Sequence, residues 1–536
     1  MLRCLATILL ITLATPLAFA QDEHPPPPEL DPGQVILPRD PDREPQREPL
    51  EIGRRTTFFD GPLREDGTVD YIAALNAHFG EGVTLDNNAF VELILLMPTD
   101  KRQDAIDALT LEALGLPPQR EDEDACYITW DTYAEEHGVL DPIGDDYYLR
   151  LDNTVTPDGL RWLEANRAAL DRVVAATRRP RYWAPMVTVE GDAETVLSVY
   201  LPHLGYHREL ARALQARIYD RADSGQPVAA VADILALRRL AALQRHDPTL
   251  IGAIVAISID ALILESIKHL LDIGVLDEDA LNHLVDEWDN RVALVPMSEQ
   301  MNIGERCTGI DLMQHLWMGR LGWFRVTEGF DDDADDLLSR GFQSSLFDIN
   351  QALLTLNHHY DREVQLMRID DFATFQRFRE RWEAEYDLDI RELRDNEAEL
   401  AATLARVGLT RQGRTEFLTK MFINIMMPAL GAARRTEFRY NTHQYAVYLA
   451  IQCERYRLAT GGIPASLDAL VPDYLDEVPI DPIDGQPMRY RTTDAGFVVY
   501  SIGTDLEDNG GLVHDFQDGG DIAVGVGIDV EPDDFD

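Results

Sequence analysis

The sequence predicts a mainly α protein: a large irregular helical domain followed by a small α+β domain that joins one helix to a short antiparallel sheet. Three observations carry this. Apolar residues recur at helical spacing through most of the stretch from Val69 to Ile425. Strand-like runs are confined to the C-terminal part, at Met488 to Arg491 and Phe497 to Ser501, with Asp494 and Gly496 in the turn between them. At 536 residues, the chain is too long for a single core.

Taken in order, the chain opens with a processing signal. Arg3 supplies a positive n-region, Leu5 to Leu13 is a short apolar run, and Ala18-Phe19-Ala20 before Gln21 is an A-x-A cleavage site. The expectation is a mature periplasmic or extracellular protein beginning at Gln21, with no transmembrane span after cleavage. Residues 21–60 form a linker. Asp22 to Arg55 alone holds nine prolines, which favour extended chain over a packed core.

A helical domain over 61–433 follows, with a subdivision near 178–206. Helices are predicted at Val69 to Phe79, Asn88 to Met97 and Asp100 to Leu114. Thr156-Pro157 is an N-cap with proline at the first helical position, opening one helix through Ala176. Four more come in close order: His207 to Asp220, Pro227 to Gln244, Asp247 to Leu271 and Asp277 to Asn290. Their short loops imply antiparallel neighbours. Helices resume at Ser344 to Leu356, Asp361 to Tyr386, Asp387 to Val407 and Thr415 to Ile425. The acidic cluster Asp331 to Asp336 fits a helix start, where negative charge is favoured. Leu250 to Ile267 is apolar nearly all round. Asp260 and Glu265 interrupt it, so it reads as a buried core helix instead of a membrane span.

Charge excludes some partners. With 48 basic and 95 acidic residues the formal charge is -47, a field that repels nucleic acid and anionic membranes. Only Lys101, Lys268 and Lys420 among the basic residues are lysines. Such a composition fits adaptation to a saline environment, where salt screens the self-repulsion. Of the cysteines left after cleavage, Cys126 and Cys307 are the pair available to a disulfide, and Cys453 reads as apolar filler of a helix face.

Catalytic signatures are missing. The chain has no H-E-x-x-H, no G-x-S-x-G elbow and no phosphate-binding glycine loop. His358 and His359 are adjacent, so on a helix they diverge by about 100° and chelate poorly. His203 and His207 are four apart, but Pro202 and Gly205 argue against a shared helical face. Glu305, Arg306, Asp311 and His315 can share a helix, where they read as ion pairs bracing a bundle. No catalytic or cofactor-binding residue is assigned.

The most legible stretch is Asn441 to Ile522. An amphipathic helix ends at Gly461-Gly462. Then come Ile463-Pro464, Leu467 and Leu470, the turn Asp481-Pro482 with Gly485 and Pro487, the two strands, and Tyr500-Ser501-Ile502-Gly503 with Asp505. An acidic glycine-rich loop leads to Asp521-Ile522. This ordered series, with Glu454 to Arg457 before the glycines and Tyr490 in the first strand, resembles the globular domain of the major pseudopilins of type II secretion. It covers roughly 80 of the 536 residues, within a domain bounded at 434–525 and followed by an acidic tail at 526–536. The resemblance implies a calcium-binding loop, with Asp505 and Asp521 as ligands and Asp508, Asn509 and Asp518 beside them. Calcium takes six to eight oxygens in flexible geometry, and this loop is rich in them. It is not an EF-hand, since the twelfth position from Asp505 is Phe516. The family's short leader and filament helix are replaced by a secretory signal and a helical domain. Ile483 stands where the family carries an aromatic residue after Asp-Pro. The upstream region, with Gly82-Val83-Thr84 and Asn87-Asn88-Ala89, resembles uncharacterised exported proteins of planctomycete-type bacteria.

The expectation is an exported, non-enzymatic protein in which the C-terminal module sits on a helical interaction domain with an unknown protein partner. Two alternatives stand beside it. One is a component that docks on a type II secretion or pilus-like machine. The other is a hydrolase with an unrecognised site among the helices.

Overall fold

The computed structural model describes residues 49–98, 104–118, 126–139, 148–149, 153–189, 194–289, 296–321, 339, 341–386, 403, 410–426, 428–513, 520–528 and 530. The signal segment, most of the proline-rich linker, the 331–336 cluster, most of the helix expected at 387–407, most of the acidic tail and Asp518 lie outside these residues. The architecture is mainly α, with one small antiparallel sheet.

The first helices start where short polar side chains can cap them. Asp70 accepts from the Ala73 amide to open α1, Tyr71–Phe79, and Asn88 accepts from Phe90 to open α2, Ala89–Leu96. α3 spans Asp104–Ala113, and α4, Trp130–His137, stops at Gly138 in the left-handed conformation.

The helix expected from Pro157 to Ala176 is two: α5, Pro157–Ala165, and α6, Arg167–Ala176. The cause is Asn166. Its Oδ1 accepts from the Ile128 amide at 2.8 Å and its Nδ2 donates to the Ile128 carbonyl at 2.9 Å. Satisfying the main chain of a neighbouring segment outweighs continuity of one helix here.

The centre of the body is a set of long helices: α7, Pro202–Asp223; α8, Pro227–Gln244; α9, Leu250–Asp272; and α10, Glu278–Asp289. α7, α8 and α9 pack on one another, and α10 lies on α8. α9 is the described helix long and apolar enough to cross a membrane, yet two thirds of its apolar window is buried in the fold. Its Asp260 pairs with Arg245 of the α8 C-terminus at 3.3 Å, and its Glu265 accepts from Gln215.

A short α11, Met297–Gln300, runs through a π-helical turn at Met301–Glu305 into α12, Arg306–Met318. The bulge lies where the helix meets the loop before α9. A Cβ on Gly304 would sit 1.6 Å from the Pro248 carbonyl oxygen, so only glycine allows this approach. α13, Ile349–Met367, and α14, Phe372–Tyr386, meet at residues 368–371. The break expected near 357–360 is absent because His358 and His359 continue α13. α15 spans Arg411–Met426, and α16, Pro428–Thr460, is the longest helix described.

The sheet has order β1-β2-β3, all antiparallel: β1, Arg489–Thr492; β2, Phe497–Ser501; β3, Ile522–Val526. Register places Arg489 opposite Tyr500 and Ser501 opposite Ile522. α16 crosses β2 and β3 and also lies against α9 and α10. One buried cluster therefore runs from Phe58 through the helices to Val524. A second one joins Leu366, Phe372, Phe375, Trp382 and Phe438 to Ile483 and Ile502 of the C-terminal region. Cys126, Cys307 and Cys453 are free thiols, with Cys307 and Cys453 fully buried.

Candidate functional site

The candidate loop connects β2 to β3, and its ends are fixed by the pairing of Ser501 with Ile522. The chain must turn back immediately after β2. Gly503 makes this turn at φ 69°, and a Cβ there would sit 1.9 Å from the Gly520 carbonyl oxygen. A side chain at either requirement would be excluded.

Carboxylates organise the loop around its own amides. Asp505 accepts from the Gly520 amide at 2.6 Å and from Glu507 at 3.1 Å, bridging the two ends. Asp521 accepts from Asn509 at 3.2 Å and from Gly511 at 2.6 Å, closing the other side. Asp508 accepts from Gly510 at 2.9 Å and meets Arg489 at 3.3 Å. Asn509 donates through Nδ2 to the Glu507 carbonyl at 3.4 Å. Asp521 is buried, and burial raises its carboxyl above the usual range. Asp508 and Asp505 add to that rise, against the Gly511 and Asn509 amides. Asp505, Asp508, Asn509 and Asp521 thus share one loop, and the hydrogen bonds of their carboxylates go to its own amides. Asp518 is among the residues not described. Among the described residues, no three His, Cys, Asp or Glu side chains form a metal-binding group.

The turn before β1 anchors this loop to the body. Buried Asp481 accepts from the Ile483 amide at 2.9 Å, and Arg489 reaches Asp481 at 3.4 Å and Asp484 at 2.6 Å. Arg489 therefore ties the Asp-Pro turn to Asp508 of the acidic loop. The Pro482 carbonyl accepts from the Phe372 amide at 3.0 Å, and Ile483 is fully buried against α14 and α16 residues. An aliphatic residue after Asp-Pro suits an apolar junction with helices.

Polar groups in the body are arranged as braces. Asp311 faces Arg64 at 3.5 Å and His315 at 3.4 Å, and it accepts from the Val196 amide at 2.8 Å. Glu305 accepts from the Leu250 amide at 2.9 Å. Arg306 bonds Asn302, Asn357 and Asp361. Asp233 is held bidentate by Arg217 at 2.7 and 2.9 Å. Glu363 accepts from Arg379 at 2.9 Å and from the Trp382 indole at 2.8 Å, with the His359 ring stacked on Trp382. The guanidinium fork suits this clamping role better than an ammonium would.

One pairing departs from the sequence reading. His203 and His207 do share a face of α7, with rings 5.7 Å apart. Pro202 occupies the first turn, where its missing N–H costs nothing, and so it starts the helix instead of breaking it. His203 Nε2 meets Asp247 at 3.2 Å. His207 Nδ1 donates to Gln244 Oε1 at 2.6 Å, and the Tyr182 hydroxyl donates to the same oxygen at 3.2 Å. The i, i+4 spacing behind a proline was the available signal for this cluster.

Comparison of the chain with protein-family models, curated proteins and solved structures found no match.

Proposed function

We propose that this chain is an exported, non-enzymatic binding protein whose helical body carries a pseudopilin-like C-terminal module, with calcium stiffening the β2–β3 loop. One observation supports the reading: Asp505, Asp508 and Asp521 share a single loop whose two ends Asp505 bridges. Each carboxylate accepts backbone amides and keeps further lone pairs, and carbonyls of the same loop supply more oxygens. Calcium tolerates such mixed, irregular ligand sets. It would also relieve the mutual repulsion that adds to the raised carboxyl of Asp521.

Thermal melting of the full chain in calcium and in excess chelator tests this, with magnesium as the ionic control. A hundredfold excess of calcium over its Kd adds about 2.7 kcal/mol to a folded state that alone binds it. The expected result is a higher Tm in calcium, lost when Asp505 and Asp508 are both changed to Asn. Superimposable curves in calcium and chelator overturn the metal assignment.

A second reading, docking on a type II secretion or pilus-like machine, draws on the exposed apolar side chains Leu458, Val471, Ile480, Leu506 and Leu512 of the C-terminal region. It predicts that the full chain co-purifies with such a machine from the envelope, and that Ile480→Ser and Leu506→Ser together abolish this. Equal recovery of the wild-type and substituted chains refutes it.

A further inference from the structure

A cleft of about 460 Å³ opens beside α1, lined by His78, Phe79, Val83, Arg181, Tyr182 and His246. Its size falls in the range that encloses small organic ligands. The chain carries -47 with its histidines neutral, whereas this cleft balances one arginine against one carboxylate, Glu81, and adds two histidines.

Arg181 is held in place without its head being used. Its amide donates to the Asn87 carbonyl at 3.1 Å, and its carbonyl accepts from Ala89 at 2.8 Å. Its guanidinium has no hydrogen-bond or ion-pair partner among the described residues. Its neighbour Arg179 shows the contrast. That guanidinium is spent on the Leu85 and Asn88 carbonyls and on Glu92 at 2.8 Å. Other arginines close on carboxylates, as Arg217 does on Asp233 and Arg379 on Glu363. A fixed backbone with an uncommitted fork at a cleft is the arrangement that grips a planar anion at two points.

The other walls supply the apolar half of a site. Tyr182 is buried, and its hydroxyl is turned away into the bond with Gln244. Phe79 and Val83 add further apolar surface. Partial desolvation and then the Arg181 charge lower the pKa of His246, whose neutral ring can serve as a hydrogen-bonding group beside the guanidinium.

We propose that this cleft binds a small organic carboxylate, with Arg181 gripping the carboxylate and the apolar walls receiving the carbon skeleton. This is independent of the calcium loop. Calorimetric titration of the full chain with benzoate, at constant ionic strength, tests it, with acetate and inorganic phosphate as comparators. The expected result is saturable benzoate binding that is tighter than either comparator and falls at least about tenfold in Arg181→Gln. Val83→Trp fills the cleft while leaving the guanidinium, and should cause the same loss; circular dichroism verifies the fold of both variants. Absence of saturable benzoate binding, or unchanged binding in correctly folded Arg181→Gln, overturns the site. Phosphate binding as tightly as benzoate overturns the organic-carboxylate assignment.

Discussion

Alongside that of His359 and His443, whose pKa values burial also lowers, protonation of His207 should contribute to the acid sensitivity of the helical body. The ring is fully buried among Phe90, Tyr182, His203 and Gln244. Its Nδ1–H is committed to Gln244, and Nε2 has no hydrogen-bond partner among the described residues. A second proton would thus sit unpartnered in an apolar site. Burial, then the neighbouring His203, hold its pKa down at about 3, against the smaller opposing pulls of Gln244 and Asp247. The unfolded ring titrates near 6.5.

The folded value lies below the unfolded one, so between these values the unfolded state binds the extra proton. Stability from this group is complete above about pH 6.5 and is lost as pH falls toward 3, with a total of roughly 5 kcal/mol. Lowering the pH from 6.5 to 4.5 removes about 2.3 kcal/mol of it. Urea unfolding, followed by circular dichroism at several pH values, measures this directly in wild type and His207→Leu. The leucine leaves Gln244 Oε1 with its Tyr182 donor, so no new buried acceptor is stranded. The wild type should lose about 2.3 kcal/mol more than the variant across that interval. Parallel pH profiles would refute the reasoning.

Two structural perturbations test the remaining architecture. Ile483→Ala empties the junction between the Asp-Pro turn and the α14–α16 cluster, and should cost about 3 kcal/mol in chemical denaturation; a cost below about 1 kcal/mol would mean that the cluster does not hold the turn. Gly304→Ala places a methyl against the Pro248 carbonyl and should cost on the order of 3 kcal/mol or lower the yield of folded protein sharply, with wild-type stability as the contrary result.

Helix content was legible because periodicity survives in long segments such as Pro227–Gln244 and Leu250–Asp272. Breaks set by distant partners were not. Asn166 divides a helix by bonding Ile128, and nothing near position 166 announces that contact. The third strand was hidden for a related reason: Ile522–Val526 is a short run whose identity comes from pairing with β2 across an acidic loop. In the candidate loop, the residue types and their shared place after the second strand could be read from sequence, whereas their hydrogen bonds could not. The carboxylates turned out to be shared with the loop's own amides. The Arg181 cleft carried no sequence signal at all, because it depends on which arginines find an acidic neighbour once folded.

The long helix α16 has a mechanical consequence. Its 33 residues span about 50 Å, and it contributes Phe438 to the junction with Ile483, Tyr440 to the buried Asp260, and Val447 to Cys453 to the main cluster. The sheet is thus mounted on a strut clamped at successive points along its length. Among the described residues, a load on the sheet has a packed path along α16 to α9 and α10.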